Sequence, residues 1–170
     1  MSQSQGRALR LNAFDAERLW SHVVKTSTCW IAMHSVGSDG YGRFALRVPG
    51  GGRQRTVTPH QVAAVLAFGE LEEGVTLLHD CDVPLCVRTG PGHVRVGTQG
   101  ENMRQAAWRG RARGPRPGLV DVRGRVEASR AIQHALRAST DRSPDGLARV
   151  LAEALAAGDP LRHQGRLIEC

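Results

Sequence analysis

The sequence lacks any long apolar segment and has almost no lysine. No run of about 18 apolar residues occurs in the 170 residues, which excludes a transmembrane helix. The N-terminal residues are polar and contain no apolar signal-peptide core, so we expect a cytoplasmic protein with no membrane contact. Because Lys25 is the single lysine, the basic character of the chain comes from arginine.

The charge balance favours a polyanionic partner. The formal net charge is +7, and neutralising phosphate groups releases counterions and drives binding. The alternative is the solvated basic surface of an arginine-rich protein, and charge alone does not decide between them. A chain of 170 residues has room for one modest domain and an appendage.

Three of the four cysteines have the spacing of a metal site. Cys81 and Cys86 are separated by four residues, His93 follows six residues later, and Cys29 lies far upstream. In a cytoplasmic protein a metal site is favoured over disulfides. A closed set of three cysteines and one histidine is typical of structural zinc, and the alternative is three buried free cysteines. Cys170 is not assigned to this set.

Hydrophobic periodicity and helix caps predict an α+β fold. Helices are predicted at 14–25, 59–68, 99–109, 124–139 and 143–157. The second of them is expected to bury Val62, Val65, Leu66 and Phe68. Strands are predicted at 29–33, 41–48, 55–58, 75–79 and 93–96. The strand–loop–strand–helix order over 75–109 carries the functional prediction.

Two polar residues in that segment suit metal-assisted chemistry. His79 ends the apolar strand two residues before Cys81, on the same side of an extended chain, and an imidazole there could serve as a general base. Asn102 lies on the following helix, and its amide oxygen suits a hard ion such as Mg²⁺. Taken alone, a histidine at a strand end is more often satisfied or exposed than catalytic.

The order of several short motifs resembles one enzyme family. The motifs are Cys29-Trp30, Gly40-Tyr41-Gly42, Pro59-His60-Gln61, His79-Asp80-Cys81, Cys86-Val87, His93-Val94 and Gly97-Thr98-Gln99 with Asn102. This order resembles the HNH (ββα-metal, His-Me finger) endonucleases of phages and actinobacteria, and it is similar to the His–Cys box homing endonucleases. The resemblance covers residues 29–111.

The resemblance implies a fold and a division of the chain. It implies a ββα-metal core with an N-terminal antiparallel sheet and C-terminal helices. We therefore expect an N-terminal extension with a short helix at 1–28, a zinc-stapled nuclease domain at 29–111, a basic linker at 112–123 and a helical appendage at 124–170.

The resemblance also implies site residues. His79 matches the general base that activates water, and Asn102 matches the residue that holds the catalytic Mg²⁺. The structural zinc ligands are the remaining four matches, Cys29, Cys81, Cys86 and His93. His60 either contacts a phosphate or caps the structure.

Double-stranded DNA is the implied partner. The stretch from Arg43 to Arg55 resembles the sheet that lies against DNA, and Arg53 or Arg55 is expected to contact the scissile phosphate. The further arginines expected along the phosphate track are Arg104, Arg109, Arg111 and Arg113. The C-terminal helices could read DNA or form a homodimer, but simple packing is favoured.

The sequence departs from the family pattern at two places. Arg88 replaces an asparagine that often braces the zinc loop, so bracing must come from elsewhere. Leu78 stands where many HNH enzymes carry an acidic or amide ligand, which leaves Asn102 as the protein's ligand to Mg²⁺. Asp80 and Asp82 are expected to face solvent, and Trp108 is expected to lie in the core or over the zinc site.

Two rivals remain open at this level. One is a non-catalytic zinc-containing DNA-binding module that retains the fold. The other is a phage packaging or assembly component in which the nuclease works within a larger machine. Retention of both His79 and Asn102 favours the enzyme, because a binding module requires neither.

Overall fold

The structure of the chain is a computed structural model that describes residues 9, 11–46, 55–71, 75–109 and 121–160. Several predictions fall outside this part of the chain: the phosphate contact of Arg53, the DNA contacts of Arg111 and Arg113, and most of the basic linker.

The described residues form a mixture of helices and small antiparallel sheets, which confirms the α+β class. The helices are α1 (Ala13–Trp20), α2 (Pro59–Phe68), α3 (Gln99–Trp108), α4 (Gly124–Ala138) and α5 (Pro144–Ala156). The strands are β1 (Val23–Lys25), β2 (Trp30–Ala32), β3 (Phe44–Leu46), β4 (Arg55–Val57), β5 (Thr76–His79) and β6 (Val94–Gly97). They pair as β1–β2, β3–β4 and β5–β6, all antiparallel. Among the described helices, none has the length and apolarity needed to cross a lipid bilayer.

The first helix is shorter than predicted. α1 begins after its N-cap Asn12, whose side chain accepts a hydrogen bond from the Asp15 N–H at 2.8 Å, and it ends at Trp20. The residues predicted to complete it form β1 instead, since Val23 pairs with Ala32 of β2. Consecutive β-branched valines favour a strand over the last turn of a helix.

The second helix has the predicted bounds but a different buried face. The Thr58 N–H donates to the Gln61 side chain at 3.0 Å across the first turn. The residues that α2 buries most are small or β-branched, at 62–64. Leu66 and Phe68, which were predicted to be buried, are 38% and 46% exposed.

The strand–strand–helix order over 75–109 is confirmed. In the hairpin, Thr76 pairs with Gly97 and His79 pairs with Val94. Thr98 then caps α3, because its hydroxyl accepts a hydrogen bond from the Glu101 N–H at 3.2 Å. The end of β5 and the start of α3 therefore belong to one compact unit.

The C-terminal helices share a hydrophobic core with the cysteine segment. This core joins residues of β2 and the loop after β5 to residues of α4 and α5; its members are Cys29, Ile31, Val83, Leu85, Cys86, Ile132, Leu136, Leu147 and Leu151. These contacts show that the C-terminal helices pack on the cysteine segment. A second core lies between α1, α2 and the β3–β4 sheet.

Polar contacts also tie α4 to the loop between β2 and β3. The Gln133 side chain donates to the carbonyls of Ala32 at 2.9 Å and His34 at 2.8 Å. The Ser129 hydroxyl donates to the Gly40 carbonyl at 2.7 Å, and both side chains are buried. These bonds satisfy backbone groups of an irregular segment and set the position of the residue that follows, Tyr41.

Candidate metal centre and histidine cluster

Four side chains converge as the spacing predicted. The ligand atoms of Cys29, Cys81, Cys86 and His93 all lie within 4.8 Å of one another. The Nδ1 atom of His93 is 3.7 Å from the Cys29 sulfur and 3.8 Å from the Cys86 sulfur. Bonds of about 2.1–2.3 Å to a central ion would separate tetrahedral ligands by roughly 3.5–3.8 Å. The cluster can therefore hold a metal such as zinc.

Backbone pairing brings the ligands together. Cys29 directly precedes β2, whereas Cys81 and Cys86 lie in the loop after β5. That loop runs beside β2, because the Ala32 N–H donates to the Leu85 carbonyl at 2.9 Å and the Val87 N–H donates to the Trp30 carbonyl at 2.8 Å. The distant cysteine is thus delivered by a strand that pairs with the loop.

Arg88 supplies the brace that the sequence analysis could not locate. Its guanidinium donates to the carbonyls of Ser27, at 3.1 Å, and Thr28. These carbonyls immediately precede Cys29, so one side chain links the two segments that carry the cysteines. Arg88, which stands where the HNH pattern has an asparagine, therefore braces these two segments itself.

The crowded thiols influence one another's ionisation. Hydrogen bonds from the thiols of Cys29 and then Cys86 lower the pKa of Cys81 far below its ordinary value. The hydrogen bond from Cys29 to Cys81 is the main cause of the raised pKa of Cys29, and burial adds to it. A thiol that accepts hydrogen bonds from its neighbours ionises more readily, and metals bind the thiolate form.

His79 is a buried imidazole at the end of β5. His79 is only 7% exposed, and neither ring nitrogen has a well-aligned hydrogen-bond partner in the described part of the chain. The ring does interact with the Cys81 sulfur, and this interaction is one cause of the lowered pKa of that thiol. Leaving a buried polar group unpaired costs about 1–3 kcal/mol, so each such ring needs an explanation, such as a bound water or a catalytic role. The ring of His34 is unpartnered in the same way, but it lies outside the strand–strand–helix unit that carries His79.

Two further rings surround His79. The His60 ring centroid lies 4.6 Å from that of His79, with the planes at 84°. The Tyr41 ring lies 5.3 Å from His60 and 5.8 Å from His79. We call Tyr41, His60 and His79 the ring cluster. In the sequence, Tyr41 is marked only by its position between Gly40 and Gly42.

His60 is held as a neutral ring. Burial, and next the nearby imidazole of His79, keep the pKa of His60 well below its ordinary value of 6.5. Its Nε2 atom lies 3.1 Å from the Thr58 hydroxyl oxygen, and that hydroxyl donates to the Gln61 side chain at 3.0 Å. The Thr58 oxygen therefore accepts from His60, which makes Nε2–H the donor in the neutral ring.

Helix α3 is anchored to the end of β5 by polar side chains. Arg109 donates to the carbonyls of His79 at 2.8 Å and Asp80 at 2.7 Å. The Asp80 carboxylate accepts from Gln105 at 3.0 Å and from Arg95 at 2.9 Å. The expectation that Asp80 faces solvent is wrong, because its carboxylate joins β6 and α3.

Asn102 lies on the same side of α3 as these anchors. It stands one turn before Gln105, and the half-buried positions of the helix are 101, 102, 105 and 106. Its side-chain amide forms no hydrogen bond with the described residues. Asn102 therefore presents a free amide on the helix face that contacts Asp80, the neighbour of His79.

The other predicted site residues are distributed over the surface. Arg43 forms an ion pair with Asp39 at 2.8 Å. Arg55 lies at the start of β4, where it pairs with Leu46 of β3. Arg104 is exposed on α3.

Arg109 and Trp108 differ from what was expected of them. Arg109, which was predicted on the phosphate track, uses its guanidinium to tie α3 to β5. Trp108 is 92% exposed, so the expectation that it covers the core or the zinc site is wrong. It lies at the last position of α3, beyond the packed part of the hairpin unit.

Comparison with known proteins places the chain in a phage family. It is 31% identical over 107 residues to Protein 2.8 of Escherichia phage T7, across 62% of this chain and 69% of that protein. The chain belongs to the family of phage T7 Protein 2.8. The name of this family states no activity, so function must be argued from the site. No family model matches the chain. No solved structure matches it either.

Proposed function

We propose that this member of the Protein 2.8 family is a metal-dependent DNA endonuclease of the HNH type. One observation carries the proposal: the imidazole of His79 is buried, its ring nitrogens have no well-aligned hydrogen-bond partner among the described residues, and it stands two residues from Cys81 of the metal cluster. It does so at the end of the first strand of the β5–β6–α3 unit, which we assign as a ββα-metal core.

His79 acts as the general base in this proposal. A free imidazole nitrogen can accept a proton from water as the water attacks phosphorus. Because His60 beside it is neutral, the proton gained by His79 meets no fixed positive charge from that ring. Arg109 holds the backbone carbonyl of His79, which limits movement of the strand end that carries the base.

Asn102 is the residue that would hold a catalytic Mg²⁺. Its free amide oxygen is a hard ligand, whereas the nearby Asp80 carboxylate is already engaged by Arg95 and Gln105. When bound, Mg²⁺ supplies positive charge that stabilises the leaving oxygen. The donor set of the chain therefore suits a single ion that also takes ligands from phosphate and water.

The zinc cluster has a structural role in this proposal. All four of its protein ligands are present, so a tetrahedral ion has no open position for substrate. Three free cysteines at one site fit the reducing cytoplasm. In this proposal Arg43, Arg55 and Arg104 contact phosphates of double-stranded DNA, and Arg43 exchanges its ion pair with Asp39 for a phosphate.

The test is nicking of supercoiled plasmid with Mg²⁺ by zinc-loaded protein. We expect His79→Ala to lower the cleavage rate by roughly 10²–10⁴-fold, which is the usual contribution of a general base. His134→Ala on the exposed face of α4 is the matched control and should cut at the wild-type rate. Zinc content and melting temperature are measured for all three proteins, so that loss of folding is separated from loss of the base.

The second candidate is a zinc-containing DNA-binding module without activity. This alternative is favoured by the number of oxygen ligands on α3. On the face that contacts Asp80, Asn102 is the one residue whose side-chain amide forms no hydrogen bond with a described residue, and a cation held by one protein ligand binds weakly. Pure wild-type protein that retains its zinc and binds plasmid, yet leaves it intact at every Mg²⁺ concentration, would establish this alternative and refute the nuclease.

A further inference from the structure

A guanidinium from the C-terminal helices lies against the ring cluster. Arg125 is the second residue of α4, and its guanidinium carbon is 5.8 Å from the centroid of the Tyr41 ring. The Tyr41 ring is in turn 5.8 Å from that of His79. An arginine more than 40 residues beyond His79 in sequence is therefore brought to the edge of the candidate active site.

The position of Arg125 is set by close packing on Gly40. A Cβ atom built on Gly40 would collide with the side chain of Arg125, so the arginine stem lies directly on the glycine backbone. Gly40 also has a φ of 83°, which favours glycine, and its carbonyl accepts the hydrogen bond from Ser129. The loop before Tyr41 and the first turns of α4 thus fit together as one surface.

Arg125 differs from the other arginines around the site in its partners. Four of them are paired with aspartates: Arg43 with Asp39, Arg95 with Asp80, Arg109 with Asp82 and Arg123 with Asp121. Arg125 is exposed and forms no ion pair with any described carboxylate. A positive charge that is positioned by packing and not neutralised by a described carboxylate suits an external anion.

The acidic residues nearby do not remove that charge. Arg125 borders a cavity of about 250 Å³ that is also lined by Asp82, Asp121 and Asp159. Asp82 and Asp121 are paired with other arginines, at 3.4 Å and 2.7 Å, and Asp159 forms no ion pair with Arg125. The guanidinium of Arg125 therefore remains available on the side of Tyr41.

We propose that Arg125 binds a phosphate of the DNA strand that lies against His79, an inference that rests on the proposed function. Helix α4 then contributes directly to substrate binding, in addition to packing on the cysteine segment. Tyr41 supports the guanidinium by contact with its ring face, as arginines commonly stack on aromatic rings.

The test measures binding of a labelled DNA duplex as a function of salt concentration. All proteins carry His79→Ala so that the duplex stays intact. Arg125→Met keeps the hydrocarbon stem over Gly40 but removes the charge, and Arg125→Lys keeps a charge. Arg130→Met is the matched control, because Arg130 is exposed on the same helix and pairs with Glu127 at 2.6 Å.

Loss of one phosphate contact lowers the slope of log K against log salt by about 0.9. We expect that decrease, with roughly tenfold weaker binding at low salt, for Arg125→Met. Arg125→Lys and Arg130→Met should keep the parent slope. A slope unchanged in Arg125→Met, or lowered equally in Arg130→Met, would overturn the inference even if the wild type cuts DNA.

Cleavage by proteins with His79 intact separates this inference from the proposed function. If the wild type cuts and Arg125→Met raises KM for DNA about tenfold, both stand. If the wild type never cuts but the slope still falls by about 0.9, the nuclease proposal fails and the phosphate contact stands. Melting temperature and zinc content show whether Arg125→Met is folded, and a misfolded Met variant is replaced by Arg125→Gln.

Discussion

The imidazoles of His60 and His79 meet edge to face, with 4.6 Å between their centroids. His60 is also tied through Thr58 to the first turn of α2. This contact joins a helix start to the strand end that carries the proposed base. The His60 ring in this position restricts the rotation of the His79 side chain, and substitution of His60 tests this effect.

His60→Ala should lower plasmid cleavage by about 10–100-fold, because a small displacement of a catalytic group can cost that much. His60→Phe keeps a ring of similar size and should retain most of the activity. The salt dependence of DNA binding should be the same for both variants. If both variants instead lowered the slope of log K against log salt by about 0.9, which corresponds to one phosphate contact, His60 would be a DNA ligand and not a support for His79.

The zinc prediction concerns the four converging ligands. We expect about one zinc ion per chain. Cys86→Ser should abolish tight zinc binding. It should also abolish the cooperative thermal transition, because binding of a structural metal contributes directly to folding. Cys170→Ser is the control, since the cysteine spacing does not assign Cys170 to the metal set. Elemental analysis and thermal denaturation check both variants, and a zinc-free wild type with an unchanged melting temperature would contradict the prediction.

The shared core predicts that the C-terminal helices unfold together with the cysteine segment. Leu136 is fully buried in α4, so Leu136→Ala should lower the free energy of unfolding by about 2–5 kcal/mol. Leu155 in α5 is 37% exposed, and Leu155→Ala should cost less than about 1 kcal/mol. Denaturation followed by tryptophan fluorescence and by circular dichroism should give one coincident transition; two separate transitions would mean an independent C-terminal unit.

The lowered pKa of His34 predicts that the protein loses stability in acid. Burial, then the positive charges of His22 and Arg18, lower the pKa of His34 from 6.5 to about 4. Below pH 6.5 the unfolded chain binds a proton that the folded chain does not, so this contribution to stability is complete above 6.5 and is lost as the pH falls towards 4.

The measurement compares wild type with His34→Leu, which cannot titrate. Because His34 is only partly buried, we expect the wild type to lose about 1–2 kcal/mol more unfolding free energy than the variant over this range. Release of zinc in acid affects both proteins and cancels in the difference. His134→Leu, at an exposed position, should follow the wild type; equal acid sensitivity of all three proteins would exclude His34 as the cause.

The local features of this protein were determined by its sequence. The bounds of α2, the order of β5, β6 and α3, and the set of four metal ligands followed from periodicity, capping residues and spacing. Each of these depends on residues within a few positions of one another, or on a chemical type as distinctive as cysteine. Helical periodicity was misleading at the end of α1, where Val23 pairs with Ala32 and the β-branched valines favour the strand.

The surroundings of the site were decided only by the tertiary structure. The sequence contains no signal that Tyr41 and His60 flank His79, that Arg88 braces the segment before Cys29, or that Arg125 reaches Tyr41. These contacts join segments far apart in the chain, and they arise because buried backbone carbonyls require donors and apolar helix faces require cover. All arginines carry the same charge in the sequence. The packing alone therefore decides whether a given arginine contacts a carbonyl, a carboxylate or neither.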